Sequence, residues 1–524
     1  MGGWGWFTFL SATFRHCQLR QAVARPLRRS ASVTTPNKSL DRTLLSGMGW
    51  NASGRWVGQL ISWSSTLVVL RFLTPADYGL VAMGGTLFSL ITLLGDGGMR
   101  GAIVNRQERS PAILHQLTTV SVLLGIAGML VAMALAVPLA AFFREPRLTA
   151  VVLVVSASYA VLGFRVVPLA VLQRDLAFRT LAKNDLLMVT VTALTSVLVA
   201  WQGGGYWALI MAHVVGTTVA TIAAWRAAPQ ALVRPVWTEV GDAVRFGGHL
   251  IVSSVATWFR GSADTVIIGR WIGQGVLGAY RVAMDFAALP LEKVAGIILQ
   301  VTSPVFAAVR NDKAALSRYL LLLTEGLAML TWPLATGLIV VADLAIPVVL
   351  GEQWNAAVVP LMIFSAAAMI RTVSPLLNTV VLARGHSRLI ARVSLISAVV
   401  AVSAMIPATR WGVAGVATVW ALSFPMATVP ILVVVLKDLE VSFSRYAATL
   451  VPTVLACALE AVAVMALRQF DLFYDWSPVI QLVTSIAVGG VAYGIATALI
   501  SRKRVRQVAS LIRQRALPTV ATAE

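Results

Sequence analysis

Charge is scarce in this chain, and cysteine nearly absent. Of 524 residues only 12% are charged against 58% hydrophobic, and the mean hydropathy is +0.81. A soluble globular protein carries about 25% charged and about 45–50% apolar residues, so a water-soluble fold is excluded. Cys17 and Cys457 are the two cysteines, there is no CxxC or Cys/His cluster, and the five histidines are scattered singly. Structural zinc and a disulfide framework are thereby excluded, and no metal or cofactor is expected. Sizeable loops are missing too, which leaves no room for a soluble catalytic domain.

What the chain does have is apolar runs of about 20 residues, each enough to cross a bilayer core as a helix. They predict spans near 48–70, 79–98, 113–138, 148–171, 185–202 and 206–225, then 247–269, 276–306, 318–347, 355–382, 389–407 and 412–436, and finally 446–467 and 478–500. The expected fold is an all-α polytopic membrane protein with about 14 transmembrane helices. The first residues differ: MGGWGWFTFL is too short to span, and RHCQLRQAVARPLRRSASVTTPNK follows it. Positive charge does not precede the apolar region, as it would in a signal peptide. Residues 1–46 are therefore read as a basic cytoplasmic extension.

The net charge of +20 has a location. Of the 42 Lys and Arg residues, 30 lie in the two terminal segments and in the loops after even-numbered spans, six in the loops after odd-numbered spans, and six inside spans. That bias predicts both termini in the cytoplasm, and it explains the positive charge with no nucleic-acid partner.

The chain also repeats. TLVVLRFL at 66–73 aligns without gaps on TVIIGRWI at 265–272, so that Thr66, Arg71 and Gly79 recur as Thr265, Arg270 and Gly278. The offset of 199 residues corresponds to six spans, an even number, so the copies are parallel repeats. The expected division is 47–226 (spans 1–6), 227–437 (spans 7–12), 438–501 (spans 13–14) and a basic cytoplasmic tail at 502–524.

Charges inside the spans break the apolar pattern, among them the six cations Arg55, Arg165, Arg260, Arg281, Lys293 and Arg371. A charge at the bilayer centre costs at least ~2.5–3.5 kcal/mol, so it normally faces a cavity or a partner. Taken by helical periodicity, span seven collects His249, Ser253, Arg260 and Asp264 on one face, and span eight collects Arg281, Asp285 and Glu292. Span one carries Asn51, Arg55, Gln59, Ser62 and Thr66 as a stripe, and span ten carries Arg371, Ser374 and Asn378. Such stripes are the pattern of a water-filled cavity. The pairs Arg260–Asp264 and Arg281–Asp285 could instead neutralise one another and brace helices. Arg55 and Arg371 have no acid one turn away. Arginine stays protonated and grips phosphate oxygens with two N–H groups, so a cavity with more arginine than acid suits an anionic lipid pyrophosphate.

Several strings, in order, carry a resemblance: SGMGWNASGRWVGQL, LVVLRFLTPADYGLVAM, LLGDGGMRGAIVNR, ADTVIIGRWIGQGVLGAYRVA and LQVTSPVFAAVRNDKAALSRYL. They resemble the Wzx-type oligosaccharide flippases, and more narrowly the WzxC-like lipopolysaccharide or exopolysaccharide biosynthesis proteins of the multidrug/oligosaccharidyl-lipid/polysaccharide (MOP) exporter superfamily. The resemblance covers about residues 40–500. It implies two six-helix lobes around a central cavity, two extra helices at the C-terminus, and a place in the bacterial inner membrane. It implies no enzyme activity but alternating access, with an undecaprenyl-pyrophosphate-linked oligosaccharide as substrate, surrounding membrane lipid, and a polysaccharide polymerase and chain-length machinery as partners. On that reading Arg55, Arg260, Arg281 and Arg371, with Asn51, Gln59 and Asn378, are candidates for substrate binding. Asp264, Asp285 and Glu292 would pair with them or titrate with a coupling ion. The rival readings are a cation-coupled drug antiporter of the related MATE type, which usually places an acid in its first span, and a membrane glycosyltransferase, which needs acids in large outer loops.

Overall fold

The computed structural model describes residues 56–96, 110–236, 258 and 261–500, with residues 92–96, 289–294, 297, 300, 301, 303 and 472 as backbone only. Fourteen long helical segments follow one another, and no strand occurs among the described residues. They are α1 (56–72), α2 (Pro75–Asp96), α3 (Pro111–Phe143), α4 (Arg147–Arg174), α5 (Phe178–Trp201), α6 (Trp207–Ala227), α7 (261–271) and α8 (Gln274–Ala308). Then come α9 (Lys313–Val349), α10 (Val358–Ala383), α11 (Ser387–Ala408), α12 (Gly412–Asp438), α13 (Phe443–Leu467) and α14 (Pro478–Ile500). Among the described residues, nine helical stretches are long and apolar enough to cross a membrane, with α11 and α12 counted as one stretch. Helices satisfy their own backbone groups, which is what the lipid demands.

The helix starts follow from local chemistry. Before α2, Thr74 and Asp77 cap one another: the Asp77 carboxylate accepts from the Thr74 N–H (3.0 Å) and hydroxyl (2.6 Å), while the Asp77 N–H donates to Thr74 Oγ1 (3.2 Å). Pro75 then occupies the first helical position, where its missing N–H costs nothing. Asp312 and Ser442 accept from the Ala315 and Arg445 N–H groups and open α9 and α13 in the same way. Helices α8 and α9 run 35 and 37 residues, longer than their apolar windows.

Two sets of helices pack within themselves. Helix α4 contacts α2, α3 and α6, and α6 contacts α5; helix α10 contacts α8, α9 and α12, and α12 contacts α11. Helices α13 and α14 pack on each other and against α9, with Val483, Ile486, Val491 and Ile495 of α14 exposed where lipid would lie. Where α13 ends, both Nη groups of Arg468 donate to Asp343 of α9, at 2.9 and 3.1 Å. At the opposite ends of these helices Arg384 makes a two-pronged bond to Asp438 (2.8 and 3.0 Å). There the Lys313 ammonium, hydrogen-bonded to the Glu440 carboxylate at 2.7 Å, holds that carboxyl below its ordinary range.

The two sets meet along α2 and α8, near the ends at which α1 turns into α2 and α7 into α8. There Gly79 and Gly278 cross. A Cβ on Gly79 would lie 1.8 Å from the Gln274 carbonyl oxygen, and one on Gly278 would lie 1.8 Å from that of Pro75. Pro75 and Gln274 stand 199 residues apart, as the two glycines do. The repeat therefore meets itself through equivalent residues, as the two halves of a twofold contact do. Around the crossing, Leu70, Leu80 and Met83 share one buried cluster with Leu277, Tyr280, Trp354 and Phe364. Arg71 donates to the carbonyls of Val349 (2.7 Å) and Val348, and the Trp354 indole N–H donates to the Leu70 carbonyl at 2.9 Å.

Trp354 is fully buried at this seam and Trp411 is 72% exposed. Trp354→Ala is expected to lower stability by ~3–5 kcal/mol, as truncation of a buried aromatic does. Trp411→Ala should move it by less than about 0.5 kcal/mol. Thermal unfolding of the detergent-purified variants compares them, and equal midpoints would contradict the packing described.

Candidate functional site

Between the two sets of helices lies a cavity of about 630 Å³, within the range of small-molecule and cofactor sites. Gln59, Ser62, Trp63 and Thr66 of α1 form one wall, with Tyr78 of α2 beside them. Arg281 and Asp285 of α8 and Arg371 of α10 form the facing wall. Spacing explains each placement: Gln59, Ser62 and Thr66 recur every three to four residues, as do Arg281 and Asp285, so each group shares a helix face.

The charges are held rather than loose. The Tyr78 hydroxyl donates to Asp285 Oδ2 at 3.2 Å, a bond that joins α2 to α8 across the seam. The Arg371 guanidinium carbon stands 5.9 Å above the Phe424 ring, a cation–π arrangement that orients the fork. Arg281 rests one N–H against the Met284 sulfur, a weak contact at 3.9 Å. Among the described lining residues two guanidinium groups face one carboxylate, a balance that favours an anion.

The residues singled out from the sequence part company here. Gln59, Arg281, Asp285 and Arg371 come together in one cavity. Asp264 is not among its lining residues: it is 1% exposed and accepts from the Thr265 N–H (2.7 Å), the Thr265 hydroxyl (3.3 Å) and the Tyr280 hydroxyl (2.9 Å), tying α7 to α8. Arg281 remains close enough to act on it electrostatically. Asn378 lies two turns beyond Arg371 on α10, with its Oδ1 buried and lacking a hydrogen-bond partner, and is likewise not in the lining. Asn51, Arg55 and Arg260 lie outside the described residues, and Glu292 is described as backbone only. Ser374, on the same stripe as Arg371, makes a short hydroxyl pair with Thr428 of α12.

Tyr78 and Trp63 escaped the sequence reading. Tyr78 sits one residue before the repeated Gly79, but its counterpart in the second copy is Leu277, so repetition gave it no emphasis. Trp63 looked like one more apolar residue of a span. Among the described residues no group of three His, Cys, Asp or Glu stands close enough to hold a metal ion.

Comparison with known proteins places this arrangement. The model of the family described as "Polysaccharide biosynthesis protein" matches residues 68–359, more than half of the chain. The chain belongs to that family. Among similar proteins, the lipopolysaccharide biosynthesis protein WzxC of Escherichia coli K12 is 24% identical over 356 residues, 66% of this chain and 71% of WzxC. The succinoglycan biosynthesis transport protein ExoT of Rhizobium meliloti is 24% identical over 315 residues, 60% of this chain and 64% of ExoT. In fold the chain is similar to the lipid II flippase MurJ in its inward closed conformation, with a TM-score of 0.70 over 87% of this chain and 99% of that one. At 12% identity this likeness shows the fold alone.

Proposed function

We propose that this protein flips undecaprenyl-pyrophosphate-linked oligosaccharide across the bacterial inner membrane by alternating access, as a step of lipopolysaccharide or exopolysaccharide synthesis. The observation that carries the reading is the cavity walled by both copies of the repeat, in which Arg281 and Arg371 face Asp285, next to the close Gly79–Gly278 crossing. The names of WzxC and ExoT, and the MurJ-like fold, support it. The Lys and Arg bias supports a crossing at the outer face and both termini in the cytoplasm.

On this reading the pyrophosphate enters from the cytoplasmic side and is gripped by Arg281 and Arg371. Gln59 extends the polar surface along it, and Arg55, Arg260, Asn51 and Asn378 are kept as further candidates for substrate binding. The lipid tail stays in the bilayer. Rocking of the two lobes parts Gly79 from Gly278 and breaks the Tyr78–Asp285 hydrogen bond. Asp285 then faces outer water, where it can exchange a proton or a cation; Asp264, Asp285 and Glu292 pair with the arginines or titrate with that coupling ion. No bond of the substrate is made or broken, so the protein is a transporter rather than an enzyme, and a polymerase receives the exposed product.

The test is made in the native host, with the gene deleted or restored. Lipid-linked oligosaccharide is probed with a sugar-cleaving enzyme that does not cross the inner membrane. Deletion is expected to accumulate an intermediate the enzyme cannot reach. An intermediate that stays accessible at the outer face after deletion would sink the flippase reading.

A further inference from the structure

Beside the central cavity, inside the first set of helices, lies a second one of about 330 Å³. Its polar lining is Ser62, Ser65 and Thr66 of α1, Tyr78 of α2, Thr192 and Ser196 of α5, and His213 of α6. The described lining residues include no carboxylate, lysine or arginine. A phosphate there would lack a counter-charge, and a metal cation would lack the carboxylate oxygens it prefers. The hydroxyls point to another ligand. Ser65 and Thr66 each donate their hydroxyl hydrogen to the Ser62 carbonyl (3.0 and 2.8 Å), and Ser196 donates to that of Ala193 (2.9 Å). Each oxygen is thereby left with lone pairs facing donors that come from outside.

His213 supplies the complementary feature. Its ring is held edge-on to Phe88 at 4.4 Å between centroids, and its Nε2 is buried without a hydrogen-bond partner. Buried polar atoms are nearly always paired, so an orphan beside a cavity marks the place where a ligand completes the set. The pocket is not isolated. It shares Ser62, Thr66, Leu70 and Tyr78 with the central cavity, and a third space of about 330 Å³ places His213 together with Tyr78, Arg281 and Asp285.

We infer that this pocket is a sugar subsite: it takes a neutral sugar ring of the lipid-linked head group, held by His213 and the hydroxyls of α1 and α5, while the pyrophosphate lies at Arg281 and Arg371. The inference rests on the function proposed above and deepens it. It explains why Arg281, Asp285 and Arg371 line the central cavity while the second pocket is lined by hydroxyls and His213 without a full charge. A head group with an anion at one end and a polyol at the other requires that division.

The experiment measures binding to the full-length protein in detergent with three probes: undecaprenyl pyrophosphate, the lipid-linked oligosaccharide extracted from a deletion strain, and the free oligosaccharide cleaved from it. Wild type is expected to bind the sugar-bearing lipid about tenfold more tightly than the bare lipid, and the free sugar far more weakly. His213→Leu should erase that tenfold advantage and leave the bare lipid unaffected. His213→Gln, which keeps a donor and an acceptor, should restore most of it. Equal weakening of both lipids by His213→Leu, or no effect on either, would overturn the subsite and leave the flippase reading standing. Free sugar binding as tightly as its lipid-linked form would make the pocket a soluble-sugar site and overturn the assignment. Wild type binding neither lipid would remove the flippase reading and the subsite together.

Discussion

Gly79→Val is expected to abolish polysaccharide export while the protein still inserts and accumulates. A Cβ at this position falls 1.8 Å from a backbone carbonyl oxygen of α8, and a carbonyl in mid-turn has no rotamer by which to retreat. Overpacking against adaptable side chains costs ~1–3 kcal/mol, and rigid backbone puts this site at or above that upper end. The cost falls only on the state in which α2 and α8 cross. At 1.4 kcal/mol per tenfold, about 3 kcal/mol depletes the shut state more than a hundredfold relative to one with the lobes parted. Gly278→Val should do the same from the other side. Because both residues guard one crossing, the double variant should cost clearly less than the two single effects added. A cysteine at Ala76, in a background lacking Cys17 and Cys457, reports the state in whole cells through an impermeant maleimide. Labelling should rise sharply with either valine. Normal export with unchanged labelling would show that the crossing takes no part in the cycle.

Arg281→Ala and Arg371→Ala are expected to be nearly as damaging, for a different reason. Each removes a charged donor from a cavity with few others, and a hydrogen bond to a charged group is worth ~1.5–3 kcal/mol. Tenfold to hundredfold weaker binding of the pyrophosphate lipid is the expected result for either one. Lysine should rescue Arg371 only in part, because an ammonium neither grips two oxygens at once nor stacks as a planar group over Phe424. The measurement is the transport rate in proteoliposomes at several substrate concentrations. An alanine variant that keeps wild-type affinity would remove the arginines from the binding role.

How much of this was legible beforehand depends on which contacts are local. Helical periodicity put Gln59, Arg281, Asp285 and Arg371 on polar faces, and the structure gathers those faces around one space. The 199-residue offset paired Gly79 with Gly278 as equivalents, but nothing in two similar strings says that the equivalents touch. Asp264 looked like half of a charge pair with Arg260. Its hydroxyl partner Tyr280 lies 16 residues on, across a helix turn no window spans. Asp343 and Arg468, 125 residues apart, meet only because α13 lies against α9. His213 was one of five solitary histidines, and only the shape around it distinguishes it. Apolar windows also underestimated α8 and α9, since a helix continues past its apolar stretch as long as its own hydrogen bonds persist.

The self-contact of the repeat has a consequence for how firmly the shut state needs to hold. Two separate subunits joined through the same contacts would have to recover translational freedom each time they came together. Here the partners are tethered by one chain, so each faces the other at the high effective concentration a linker confers. The seam can therefore be weak in itself and still close. A latch of that kind opens as readily as it shuts, and a carrier that must turn over needs both.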